Sequence, residues 1–170
     1  APDVGARVVV LGGGNSAIDV AREPVALGAE HVTLAYRRTR ELMPAYAFEV
    51  DEAEQEGVFF EWLASPVEIT GDRCVEHVVL ERQRLAAPGA DGRPVVEPTG
   101  ERIALAADAV VAALGQLPRG ELADWLELLR SRGVVVDAGG DAVNGGASVV
   151  QAVADGKRAA RAIEEALCTA

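Results

Sequence analysis

The sequence predicts an α/β fold: a parallel sheet with flanking helices, and beside it a three-stranded antiparallel β-meander. Three observations lead there. Arg7 to Leu11 is a continuous apolar, β-branched run that enters a glycine turn, Gly12-Gly13-Gly14, and a helical pattern starts at once. A second strand, a second helix and a third strand follow by Leu63, each helix closed by a glycine, Gly28 or Gly57. Then the pattern changes to short strands broken by turn signals, without helices between them.

The elements follow in order. Residues 7–11 read as a buried parallel strand. Asn15 to Leu27 reads as a helix, with Ile18, Val20, Ala21, Val25 and Leu27 apolar. Pro24 sits inside it and predicts a kink or a tightened last turn. His31 to Tyr36 is a second strand, ending in Arg37-Arg38-Thr39-Arg40. Met43-Pro44 leads into a helix over about 45–56, whose acidic residues Glu49, Asp51, Glu52, Glu54 and Glu56 predict a solvated face. Val58 to Leu63 is a third strand. Pro66 to Thr70, Cys74 to Leu85 and about Val95 to Leu105 form the meander, with Gly71-Asp72 as a hairpin turn and Pro88-Gly89-Ala90-Asp91-Gly92 as a longer loop. That meander is placed to cover one face of the parallel sheet. Asp108 to Leu114 is again a continuous apolar strand, ending in Gly115-Gln116-Leu117-Pro118. Glu121 to Arg132 predicts a helix with Leu122, Trp125, Leu126 and Leu129 inward, Val134 to Val136 a short strand, and 148–167 a last helix.

Composition narrows the function classes. At 170 residues with 49% hydrophobic residues the chain is long enough to bury a core. No apolar run approaches the roughly 20 residues of a membrane span. A net charge of −11 disfavours nucleic acid and anionic membranes as partners. Lys157 is the only lysine, so the choice of Arg over Lys says little, although the place of an Arg still matters. Cys74 and Cys168 lack metal-ligand spacing and predict free thiols in a reducing compartment, hence a cytoplasmic protein. The chain opens on Ala1-Pro2-Asp3, without Met or a basic-then-apolar leader, and the expectation is a fragment or a processed chain.

The glycine turn carries the chemistry. Gly12, Gly14 and Ala17 have the spacing of a dinucleotide-binding, Rossmann-like βαβ unit. Gly12 permits the turn, Gly14 lets a pyrophosphate approach the backbone, and Ala17 keeps the helix close to the strand. The free N–H groups of the first helical turn, over Gly13, Asn15 and Ser16, suit the phosphates. At the tip of the second strand an NAD-binding unit usually places an Asp or Glu for the ribose 2′-OH. Here stand Arg37 and Arg38, which suit a 2′-phosphate and predict NADPH over NADH.

With these residues in view, the chain resembles a known family. Gly12 through Arg22, Tyr36-Arg37-Arg38 and Met43-Pro44-Ala45 are similar to the NADPH domain of the glutamate synthase small (β) subunit and the related flavoprotein module of dihydropyrimidine dehydrogenase. The resemblance implies that Gly115 belongs to a loop beside the nicotinamide. It implies that Gly139-Gly140-Asp141, with Ala147 and Ser148, is a late FAD motif in which Asp141 meets the flavin. It further implies residues 1–133 as an NADPH-binding domain, with the meander at about 66–106, and residues 134–170 as the tail of an FAD-binding domain. Two departures stand out: no earlier FAD glycine motif precedes Ala1, and Val136-Asp137 runs almost directly into Gly139. FAD is therefore expected only in the complete protein, which would also supply the missing FAD-binding part and an iron–sulfur or large-subunit partner.

The expected reaction is hydride transfer from NADPH to FAD, which needs no side-chain acid or base. No catalytic side chain and no metal ligand is expected, and His31 and His77 are read as ordinary positions. The residues themselves also fit a second reading, a nucleotide-binding or interaction module without catalysis.

Overall fold

The structure, a computed structural model, describes residues 4–89, 92–115, 120–146 and 148–168. Ala1–Asp3, the loop tip Ala90-Asp91, Gln116–Pro118 of the predicted turn, and Ala147 lie outside the described residues. The chain divides into two compact units, Ala1–Gly115 and Gln116–Ala170.

In the first unit, β1 (Arg7–Gly12) is followed by α1 (Asn15–Ala26), β2 (His31–Tyr36), α2 (Ala47–Gln55) and β3 (Val58–Trp62). With β7 (Ala109–Ala113) these strands form a parallel sheet of order β3-β2-β1-β7. β4 (Ala64–Thr70), β5 (His77–Pro88) and β6 (Pro94–Ala106) form the expected antiparallel meander, in that order. The uninterrupted apolar run of β1 has a simple cause: both faces of the sheet are covered. Val8 and Val10 join Ile18, Ala21, Leu34 and Val50 in a core beneath the helices. Val9 and Leu11 join Ala35, Ala64, Val78, Leu80 and Ala107 in a second core beneath the meander.

Pro24 lies in the last turn of α1, which tightens there: the Gly28 N–H donates to the Val25 carbonyl at 3.0 Å. α2 starts two residues later than the pattern suggests, because a 3₁₀ turn over Arg40–Leu42 and an extended Met43 come first. Its acidic face is ion-paired, not merely solvated. Glu52 and Glu56 meet Arg22 of α1, while Asp51 and Glu54 meet Arg40. The reason is that α1 and α2 pack side by side. β3 stops at Trp62, since Leu63 takes a left-handed conformation (φ 54°) and turns the chain into the meander.

The second unit holds α3 (Glu121–Ser131), a one-turn α4 (Asp141–Asn144) and α5 (Val149–Cys168). Two expectations change here. Trp125 is not inward: it is 61% exposed, and α3 has no fully buried residue. Val134–Val136 is irregular and not a strand, since no strand pairs with it among the described residues. The apolar residues at the start of α5 are bare, with Val149 81% exposed.

The first pair of the parallel sheet is pinned by charge. Asp108, just before β7, accepts the Ala6 and Arg7 N–H groups at 3.0 and 2.8 Å and the Arg7 guanidinium at 2.6 Å. The Arg7 side-chain hydrogen bonds, then the backbone N–H groups, hold its carboxyl at about 2, below the ordinary 3.8. A depressed folded-state value stabilises the fold above pH 3.8, and that contribution disappears as pH falls through about 2. Asp108→Asn is expected to lower the urea midpoint at neutral pH, with the gap from wild type closing as pH approaches 2. A constant gap across that range would show that the charge of Asp108 contributes nothing to stability.

Candidate functional site

The carboxyl ends of the parallel strands carry the candidate site. Ligands of open α/β sheets bind outside these ends, where neighbouring connections leave in opposite directions. In the order β3-β2-β1-β7 that place is between β1 and β7. Gly12 ends β1 there and pairs with Ala113 of β7. Gly115 follows two residues later, beyond an exposed Leu114.

The three glycines of the turn serve three different ends. A Cβ on Gly12 would stand 2.2 Å from the Ala113 carbonyl oxygen and 3.1 Å from the Ala17 Cβ, so Gly12 lets β1 close against β7 and α1. A Cβ on Gly13 would stand 2.3 Å from the Tyr36 ring. Gly14 has no protein atom within 4 Å of where its Cβ would be. It is the N-cap of α1 and makes no side-chain cap bond, and the first turn carries no acidic residue. The Ala17 N–H donates to the Gly14 carbonyl at 2.9 Å, which leaves the Asn15 and Ser16 amides for an outside acceptor. Ala17 is fully buried against the strand, and Ser16 is exposed.

Asn15 has an internal task. Its Oδ1 accepts the Tyr46 N–H at 2.9 Å, and the Ala45 N–H donates to the Gly13 carbonyl at 3.2 Å. The segment Met43–Tyr46 therefore ties the glycine turn to the start of α2. Tyr36, beneath Gly13, donates its hydroxyl to the Leu42 carbonyl at 3.0 Å and braces the same segment. These ties were not visible in the sequence, although Met43-Pro44-Ala45 already stood out in it.

Arg37 and Arg38 leave β2 directly after Tyr36 and so stand beside the turn. Arg37 is exposed and Arg38 half-buried. The Leu63 N–H fixes the Arg38 carbonyl at 3.2 Å. The Arg38 Nε is buried without a hydrogen-bond partner. Arg40, the third guanidinium of this tip, is committed to Asp51 and Glu54, which raise its pKa above the ordinary value. Arg37 and Arg38 make no ion pair among the described residues.

The other predicted residues lie in the second unit. Gly140 is buried, with φ 72°, and precedes α4, which starts at Asp141. Ser148 accepts the Gln151 N–H at 3.2 Å and caps α5. Ala147 lies outside the described residues. His31 stacks on Phe59 at 4.3 Å, an ordinary packing role. Among the described residues no cluster of His, Cys, Asp and Glu could hold a metal, and no helix is long and apolar enough to cross a membrane.

Sheet order, glycine turn and covering meander define a Rossmann-like domain. The model of the pyridine nucleotide-disulphide oxidoreductase family matches residues 1–165, and the chain belongs to that family. It is 38% identical to the glutamate synthase [NADPH] small chain of Escherichia coli over 94% of its length and 38% of that protein's. It is also 38% identical to the NADP(+)-dependent formate dehydrogenase subunit beta of Moorella thermoacetica, over 96% of its length and 25% of that protein's. The chain thus spans well under half of either relative. Among solved structures, FprA, an oxidoreductase of Mycobacterium tuberculosis, superposes with a TM-score of 0.75 at 23% identity. The match takes in 99% of this chain and 54% of that one, a likeness of fold.

The packing of Gly13 on Tyr36 gives a direct test of the turn. Gly13→Ala is expected to destabilise the fold by about 1–3 kcal/mol through overpacking. Adding Tyr36→Val to it should recover part of the loss, as coupled neighbours do. Strictly additive losses in urea denaturation would show that ring and turn are independent.

Proposed function

We propose that this chain is the NADPH-binding portion of a flavin-dependent oxidoreductase that resembles the glutamate synthase small subunit. The observation that carries the reading is the unobstructed space at Gly14, beside two guanidiniums that make no ion pair among the described residues. The residues fit the nucleotide. The uncapped first turn of α1 offers N–H donors to a pyrophosphate, with Gly12, Gly13 and Ala17 holding the turn close to the sheet and Ser16 exposed at its edge. Asn15 positions the turn through Tyr46. Arg37 and Arg38 take the 2′-phosphate, and Gly115 lies on the nicotinamide side. When bound, the nicotinamide supplies a hydride and FAD accepts it; the protein binds, orients and excludes competitors.

Residues 134–170 supply one edge of the flavin site through Gly140, Asp141, Ala147 and Ser148. The remaining flavin contacts belong to the complete protein, with an iron–sulfur or large-subunit partner as the electron acceptor. The relatives named as a small chain and a subunit beta support assembly with further components. The reducing environment implied by the free cysteines supports a cytoplasmic setting.

Titration calorimetry on designed variants tests the nucleotide site. Gly14→Val puts its Cβ where no protein atom lies within 4 Å, in the ligand's line of approach. It should abolish NADPH binding, and an unchanged affinity would remove the glycine turn from the site.

The rim arginines are tested separately. Charge-assisted hydrogen bonds are worth about 1.5–3 kcal/mol each. Arg37→Ala with Arg38→Ala is thus expected to weaken NADPH at least about tenfold and to leave NADH almost unchanged. Equal losses for both nucleotides would make the pair a general electrostatic feature and not a reader of the 2′-phosphate.

A further inference from the structure

The second unit contains a buried carboxylate that the proposed function does not use. Asp155 sits on α5 and is only 4% exposed, in a unit that otherwise buries little. A lone buried carboxylate is costly unless its oxygens are fully engaged. Those of Asp155 are engaged from two sides. Oδ2 accepts the Gly140 N–H at 3.1 Å and the Asn144 Nδ2 at 2.7 Å. Oδ1 accepts the Gln151 Nε2 at 3.1 Å and the Arg158 guanidinium. The two donors on Oδ1 come from α5 itself; the two on Oδ2 come from Gly140, just before Asp141, and Asn144, at the end of the same helical turn.

The backbone is shaped to this carboxylate. A Cβ on Gly139 would stand 2.8 Å from the Asp155 Cβ, so only glycine lets the turn come this close to α5. Asn144 passes the constraint on, since its Oδ1 accepts the Gly146 N–H at 3.1 Å. Burial pushes the Asp155 carboxyl up, but the Gly140 N–H, the Gln151 amide and Arg158 outweigh it and hold it ionised below the ordinary value.

We propose that Asp155 is the positioning residue of the Gly139–Gly146 turn, holding Gly140 and Asn144 so that Asp141 between them is preset for the flavin. The inference rests on the reading of that turn as one edge of the flavin site. Asp155 does not touch the flavin; it acts through the backbone of Gly140 and the side chain of Asn144.

The test uses the full-length protein that carries this chain, stripped of flavin and titrated with FAD, with NADPH affinity measured in parallel. Asp155→Asn keeps the size but replaces an acceptor oxygen with an amide donor. It should weaken FAD at least about tenfold and leave NADPH within about twofold, since the nucleotide turn lies in the other unit. Asn144→Ala keeps the carboxylate and its bond to Gly140, and should weaken FAD by about threefold, non-additively with Asp155→Asn. Unchanged FAD affinity in Asp155→Asn overturns the proposal, and so does a parallel loss of FAD and NADPH, which would mark a purely structural role. Should Asp155→Asn fail to fold, Asn144→Ala decides alone: wild-type FAD affinity overturns the proposal. Asp141→Ala separates the two layers: if it leaves FAD affinity unchanged, the flavin-edge reading falls, and the role of Asp155 with it.

Discussion

The close approach of Gly12 to the carbonyl of Ala113 is the constraint on which the first unit depends. Any side chain at residue 12 would collide with the neighbouring strand at 2.2 Å. Without one, β1 and β7 remain paired to the last residue, and α1 starts three residues later with Ala17 pressed to the strand. The helix N-terminus is thereby delivered to the gap between β1 and β7. The other features of the rim follow from that placement. Tyr36 fits beneath Gly13, Met43–Tyr46 bonds across to Gly13 and Asn15, and Arg37 and Arg38 emerge beside the turn.

A second layer of order comes from pairing. Much of the charge in the helical layer is committed to neutralising itself. Arg22 ties α1 to α2, and the Arg22 guanidinium holds the Glu56 carboxyl below its ordinary value. Arg40 ties the 3₁₀ turn to α2. Exposed pairs of this kind add little stability individually. Their effect is selective: they remove Arg40 from the rim and leave two of its three guanidiniums without an ion pair among the described residues.

The local pattern carried most of the first unit. The βαβ rhythm, the glycine stops and the change to a meander were legible because each is written within some ten residues. The two-sided core followed from the continuous apolar runs and the meander over one face; the strand order β3-β2-β1-β7 did not. The readings that changed depended on tertiary partners. Asp51, Glu52, Glu54 and Glu56 are exposed, as expected, but their pairing with Arg22 and Arg40 was not legible. Val134–Val136 has strand propensity but no neighbouring strand among the described residues. Trp125 fits an inward helical stripe, and yet nothing in its own unit encloses it. At the candidate site the glycines and Arg37-Arg38 were legible as motifs. The roles of Tyr36, Asn15, Leu63 and Asp155 were not, because they depend on hydrogen bonds or ring contacts between separate segments that no periodicity encodes.

The uncommitted guanidiniums also have a kinetic consequence. The chain as a whole carries −11. Under the proposed reading, a polyanionic nucleotide first meets a repulsive far field and only at short range an attractive pair. Salt at about 0.1 M confines electrostatic fields to roughly 10 Å. It therefore relieves the far repulsion more fully than it weakens contacts made at the rim. Arrival should quicken with moderate salt while departure changes less, so selection between cofactors becomes a matter of residence time at the rim and not of capture from solution.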